Sequence, residues 1–304
     1  MIENFTANLG SGVSLSCRRA GPAEAPLLLF LHGFPEGAFV WDEMMLALAS
    51  RFRCVAPNLR GYDESFSPGQ VEAYKPRTLA DDIVGLVEYL DAPVAALVAH
   101  DWGGVVGWSL GALAPPWLER LVIINSPHPA TFLRELQQSP AQQQASAYMN
   151  FLCLPQAAAM LVADDYARLW KFFTAMGAEE GTQPGAGWLN EKTREEYRLV
   201  WAHGIEGALN YYRASPLRPP TSEHDPVMSL QLPPALTQVR IPTLVLWAEA
   251  DTALPPALLD GLSEYVEDLV VVRIPEATHW VVHEQPDRLV AEIRTFLGAA
   301  ISPA

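Results

Sequence analysis

Short apolar runs without alternation recur along the chain at Leu27–Leu31, Cys54–Ala56, Val94–Ala99, Leu121–Ile124, Thr243–Trp247 and Leu269–Ile274. Such runs of Leu, Val and Ile are what strands look like when both faces of a sheet are covered. Between them, apolar residues return every three or four positions over Thr78–Leu90, Gly103–Leu113, Pro256–Tyr265 and Asp287–Leu297, the period of an amphipathic helix. Leu79, Ile83, Leu86, Val87 and Leu90 make the stripe of the first, and Pro286 stands ahead of the last as an entry signal. Strand and helix in alternation predict an α/β fold: a mostly parallel twisted sheet flanked by helices.

The alternation stops after Asn125. From 128 to 225 the chain turns to Ala, Gln, Tyr and Trp at helical spacing, without a strand pattern. Two Pro/Gly clusters punctuate that stretch, GTQPGAG at 181–187 and SPLRPP at 215–220. Strand logic resumes at Ile241. The expected organisation is therefore one core built from 1–127 and 226–304, with a helical cap inserted at 128–225.

Half of the 304 residues are apolar and 18% are charged, a globular balance. With 20 basic against 35 acidic residues, the net charge of −15 disfavours nucleic acid and anionic membrane surfaces as partners. Apolar stretches fall short of the ~18 residues of a membrane span, and MIENFTANLG lacks the pattern of a signal peptide. Cys17, Cys54 and Cys153 fit neither a disulfide framework nor a zinc site, so a reducing cytoplasm is expected. The chain does not disclose its oligomeric state.

The chemistry concentrates where strands end. The run Val94–Ala99 leads into His100-Asp101-Trp102-Gly103-Gly104 and straight on into a helix. Small residues at 99, 103 and 104 around one reactive side chain form the nucleophile-elbow pattern, in which a strand turns sharply into a helix. Ser usually occupies the apex. Here it is Asp101, whose attack on carbon would leave an alkyl ester rather than an acyl one; an Asp that merely caps the helix is the competing reading. The first run leads into His32-Gly33-Phe34-Pro35-Glu36. In an elbow enzyme this loop and the residue after the nucleophile supply an oxyanion hole, which makes the backbone N–H groups of Phe34 and Trp102 the expected donors. Pro35 is a candidate for a cis peptide bond.

After the last strand comes Ala277-Thr278-His279-Trp280, where His279 suits a general base. The acid that orients it is expected to be Asp251, beyond Thr243–Trp247, with Glu249 as its rival. His32 and His100 are expected to hold backbone geometry. His128, His203, His224 and His283 have no comparable partners, so packing or surface is their default.

HGFPE at 32–36, RGYDES at 60–65, HDWGG at 100–104, NYYR at 210–213 and EATHW at 276–280 together resemble the cap-bearing epoxide hydrolases of the α/β-hydrolase superfamily, over nearly the whole chain. The resemblance implies an Asp nucleophile, no metal or organic cofactor, and two lid tyrosines that hydrogen-bond the epoxide oxygen. By motif these are Tyr148 and Tyr212, with Tyr211 and Tyr166 as rivals. It further implies water and a small apolar epoxide as reactants and a vicinal diol as product. Met149, Phe151, Leu152, Trp170 and Phe173 are the expected pocket walls. Two other functions compete. A haloalkane or haloacid dehalogenase uses the same Asp–His–Asp set, but Phe34 lacks a side-chain halide donor and Trp102 stands where fluoroacetate enzymes carry Arg. The other is a silent ligand-binding protein on this fold. One departure concerns the turn Asn58–Asp63, where relatives place Asp first and Gly last.

Overall fold

The computed structural model describes residues 1–10, 12–179 and 187–298, so most of the 181–187 cluster lies outside the described residues. The six apolar runs become strands β3 (Leu27–Leu31), β4 (Arg53–Pro57), β5 (Val94–His100), β6 (Leu121–Ile124), β7 (Thr243–Ala248) and β8 (Leu269–Ile274). Two strands precede them, β1 (Glu3–Asn8) and β2 (Ser14–Ala20), and all eight form one sheet in the order β1-β2-β4-β3-β5-β6-β7-β8. The first two pair antiparallel and the rest run parallel. The early pair escapes a search for continuous apolar runs because only Leu15, Cys17 and Ala20 of β2 are buried, with half-exposed or exposed polar residues between them.

The alternating helices are α1 (Asp42–Leu48), α2 (Pro76–Leu90) and α3 (Asp101–Leu113), and at the far end α10 (Val281–Glu284) and α11 (Pro286–Gly298). Pro76 and Pro286 each stand at a helix start, where a missing N–H costs nothing. Two expectations need correcting. The helix expected over Pro256–Tyr265 is two short 3₁₀ turns, Pro256–Leu259 and Leu262–Glu264, separated by Gly261 at φ +72°. The run at β8 is not covered on both faces: it is the sheet edge, and Val270 and Val271 are exposed.

Between β6 and β7 the chain runs through α4 (Pro129–Gln138), α5 (Pro140–Ala145), α6 (Tyr148–Leu152), α7 (Ala157–Ala175), α8 (Glu191–Ala202) and α9 (Glu206–Ala214). α7 is broken at Ala163–Tyr166, three of whose residues have positive φ. Buried side chains tie this helical insertion to the sheet domain. Trp201 Nε1 donates to the Pro35 carbonyl (2.7 Å), Tyr211 Oη to the Arg60 carbonyl (2.8 Å), and Trp280 Nε1 to the Phe173 carbonyl (3.0 Å). No single helix among the described residues is long and apolar enough to cross a membrane.

Register decides what the sheet presents. Leu31 pairs with Ala99, His100 with Ile124, Ile124 with Leu246, and Ala248 with Ile274. The parallel strands therefore end level, and the loops after β3, β5, β6, β7 and β8 open on one edge beneath the helical insertion. Ligands bind at such carboxyl edges.

At that edge α3 approaches β3 so closely that a Cβ on Gly103 would run into the backbone carbonyl of Leu31. Gly103→Ala should therefore lower stability by about 1–3 kcal/mol, the usual cost of overpacking a site that cannot yield. Urea denaturation measures it, and an unchanged midpoint would show that the elbow can relax.

Candidate active site

Asp101 is the first residue of α3 and has φ +48°, a left-handed conformation that few side chains adopt. The turn closes only because its neighbours are small. A Cβ on Gly33 would meet the Asp101 side chain, and one on Gly104 the side chain of Ser126. Ser126 Oγ in turn donates to the Asp101 carbonyl (2.7 Å). The Asp101 carboxylate is thereby aimed away from its own helix, and Phe34 N donates to its Oδ1 (2.7 Å). The next amide along, Trp102 N, lies in the first turn of α3, where N–H groups lack intrahelical acceptors. The Phe34–Pro35 peptide is cis.

Facing that carboxylate is His279, with Nε2 3.9 Å from Asp101 Oδ2. Its other nitrogen, Nδ1, lies 2.7 Å from Asp251 Oδ2. Asp251 is buried and fully engaged: Oδ1 accepts from Ala253 N (2.8 Å) and Leu254 N (2.9 Å), and Oδ2 also accepts from Asn125 Nδ2 (2.9 Å). Burial works against its charge, but His279, Asn125 and the loop N–H groups outweigh it and hold the carboxyl below its ordinary range. Glu249, the rival, instead pairs with Arg273 at the surface (3.1 Å). Asn125 joins the site as the residue that fixes the acid, its own Oδ1 accepting from Ala248 N (2.8 Å). For His279, burial pulls the pKa down, while Asp251 foremost, then Asp101 and Glu36, pull it up to about 9.

Glu36 belongs to a second layer that the residue pattern did not disclose. His100 Nδ1 lies 3.0 Å from Glu36 Oε2, and its Nε2 lies 3.0 Å from the carbonyl of His279. Tyr197 of α8 donates to Glu36 Oε1 (3.2 Å) and lies 2.8 Å from His283 Nε2. Burial opposes the Glu36 charge, yet His100 and His283 together hold it far below the usual carboxylate range. His283 is thus neither surface nor simple packing. It stacks on Trp188, centroids 4.1 Å apart. The visible signal was an acid inside HGFPE, in a turn that the strand end had to bury. His32 holds its turn: Nε2 accepts from Leu59 N (3.0 Å) and Nδ1 lies 2.9 Å from the Gly33 carbonyl, with burial lowering its pKa to about 4.

Asp101, Trp102, Tyr148, Met149 and Tyr212 share the wall of one cavity of about 660 Å³. The rings of Tyr148 and Tyr212 meet at 6.2 Å, and Tyr212 also packs on Phe34 (5.2 Å) and Trp102 (5.0 Å). Burial, and then the charge of Asp101 among other groups, pushes both phenols above their ordinary range, which keeps them as O–H donors. Of their rivals, Tyr211 spends its hydroxyl on the Arg60 carbonyl, and Tyr166 sits in the α7 break against Trp201 (5.0 Å).

Four of the expected walls lie elsewhere. Phe151 is half-buried and Leu152 fully buried, and neither reaches the cavity. Trp170 and Phe173 pack into an aromatic core with Tyr197 and Trp201. The helical phase is off by one residue: Phe172, not Phe173, lies against Phe34 (5.7 Å) and Tyr148 (5.3 Å). Among the described residues, His, Cys, Asp and Glu form no group that could hold a metal ion.

Known proteins share this architecture. The α/β-hydrolase-fold family matches residues 26–286. The chain is 30% identical over 291 residues to "Epoxide hydrolase 4" of Mus musculus, covering 94% of this chain and 77% of that protein. It is 31% identical over 280 residues to "AB hydrolase superfamily protein YfhM" of Bacillus subtilis (strain 168), covering 91% of each. Among solved structures it is similar to an epoxide hydrolase of Bacillus megaterium in complex with an inhibitor, with TM-score 0.85, 30% identity and coverage of 97% of this chain and 100% of that one.

The pairing of His279 with Asp251 makes a direct prediction. In Asp251→Asn the largest contribution holding the imidazole near 9 is gone while burial remains, so its titration midpoint should fall by on the order of two pH units. Imidazole NMR reads this, and an unmoved midpoint would assign the shift to other groups.

Proposed function

Because the chain belongs to the α/β-hydrolase-fold family and, within it, to the epoxide hydrolases, we propose that it converts an apolar epoxide to a vicinal diol through a covalent ester on Asp101. The observation that carries this reading is the shared cavity: a carboxylate at a sharp turn, with two phenols along the same apolar wall.

Asp101 attacks the less hindered ring carbon, forming a C–O bond as the ring C–O bond breaks. The departing oxygen takes a proton from Tyr148 or Tyr212, whose hydroxyls stabilise the developing alkoxide. His279 then takes a proton from water, and the hydroxide adds to the ester carbonyl carbon of Asp101. The oxyanion so formed is held by the N–H of Phe34, which already binds Oδ1, and by that of Trp102. Collapse breaks the ester bond, the diol leaves with the remaining water proton, and the proton on His279 returns to the tyrosinate. Atoms and charges are restored.

The charges time the two steps. Asp101 is one of the anions that hold the His279 pKa up. Once alkylated it is neutral, so the imidazole loses a stabilising partner when it must act as a base. Asp251 stays ionised and continues to orient it. Halide loss fits less well, since Phe34 has no side-chain N–H to cradle a halide while two phenols suit an alkoxide.

Two tests follow. His279→Gln should strand the ester, so intact-protein mass after mixing with styrene oxide should show a stoichiometric adduct. Normal turnover without adduct would remove His279 from the mechanism. Tyr148→Phe and Tyr212→Phe should each slow ester formation by about 10²-fold in rapid-quench measurements, the scale of a lost general acid. Unchanged alkylation in both would exclude the phenols.

A further inference from the structure

His279 stands on a loop that the sheet does not hold. β8 ends at Ile274 and α10 starts at Val281, and between them Glu276 takes φ +63°. The first half of the loop is fixed by the Ala277 carbonyl, which accepts from Ala250 N (3.0 Å). The second half is fixed by Glu284, the last residue of α10, whose carboxylate reaches back to Thr278. Its Oε2 accepts from Thr278 N (2.8 Å) and its Oε1 from Thr278 Oγ1 (2.5 Å). The same Thr278 hydroxyl accepts from Trp280 N (3.3 Å), and Glu284 N donates to the Trp280 carbonyl (3.0 Å). Both chain neighbours of His279 are thereby tied to one half-buried side chain. Glu284 does not line the cavity that holds Asp101.

The helical insertion closes this clasp from outside. Gly177, just past α7 and at φ +98°, packs so tightly on Thr278 that a Cβ there would lie 2.5 Å from Thr278 Cγ2. With the methyl so confined, the hydroxyl stays on Glu284. Asp251 bonds to the imidazole ring, but it does not set the backbone from which that ring projects. Bonds to an ionised acceptor are short and strong, which suits Glu284 to that second task.

We propose that Glu284, acting through Thr278, is a positioning residue for His279. It holds the chain on either side of the base so that Nε2 meets the water that cleaves the ester. The assignment rests on the covalent-ester reading above. In that reading Asp101 attacks without His279, so loss of the clasp should slow ester hydrolysis and spare ester formation. A side chain that only stabilised the fold would lower both steps together.

Rapid-quench mass spectrometry with styrene oxide reads both rates in one experiment. Thr278→Val keeps the shape against Gly177 and removes the hydroxyl. Its ester hydrolysis should fall by about 10–10²-fold, the scale of a catalytic group displaced by up to 1 Å, while the ester forms at the wild-type rate and accumulates. Glu284→Ala should do the same, and the double variant should be no slower than the slower single one. Thr278→Ser, which returns the hydroxyl, should recover most of the lost rate. Equal slowing of both steps, or undiminished hydrolysis in folded Thr278→Val, overturns the proposal and leaves the ester mechanism standing. Absence of any ester in the wild type and in His279→Gln defeats the covalent reading and the assignment built on it. Should Glu284→Ala fail to fold, the two Thr278 variants decide the matter by themselves.

Discussion

The rest of the site depends on a backbone constraint: β5 must turn into α3 within one residue while leaving the Asp101 carboxylate free. A left-handed Asp there is tolerable only if nothing presses on it, which is why Gly33, Gly103 and Gly104 surround it where a Cβ would strike Asp101, Leu31 and Ser126. The same tightness brings Phe34 N to the carboxylate. The Asp101 carboxylate, the Phe34 N–H and the start of α3 are thus one feature of packing.

Charge is the second organising principle. Two buried carboxylates, Asp251 and Glu36, stand behind the imidazole of His279, the first bonded to its ring and the second reaching its carbonyl through His100. Isolated buried anions would be very costly, and each here is surrounded by donors. Glu36 also takes the hydroxyl of Tyr197 from the helical insertion. One side chain thereby joins the loop that carries Phe34, the turn that carries Asp101 and the helices above.

Much of this was legible in the chain. The parallel strands are continuous apolar runs because they are covered on both sides, and the order Asp101, Asp251, His279 marks the loops that follow them. β1 and β2 were not legible, since a strand with one wet face mixes Arg18 and Arg19 with Leu15 and Cys17. Nor was the break at Gly261, where local geometry overrides helical spacing. Choosing Phe172 over Phe173 required the helical phase of α7, a kinked element. The unusual Asn58–Asp63 turn resolves into a bonded pair: Asn58 donates to Asp63 (2.7 Å) and accepts from Ala38 N (2.7 Å), while Asp63 takes φ +50°.

The bonds from Trp201, Tyr211 and Trp280 cross between sheet and insertion at three separate places. A roof bolted at three points is braced against swinging as a unit. Tyr148 and Tyr212 are thereby held over the cavity they share with Asp101, whose opening lies along α3 beside the exposed Leu113. Sequence drift in the ceiling should then retune reactivity, while drift along that doorway should retune which molecules arrive at all.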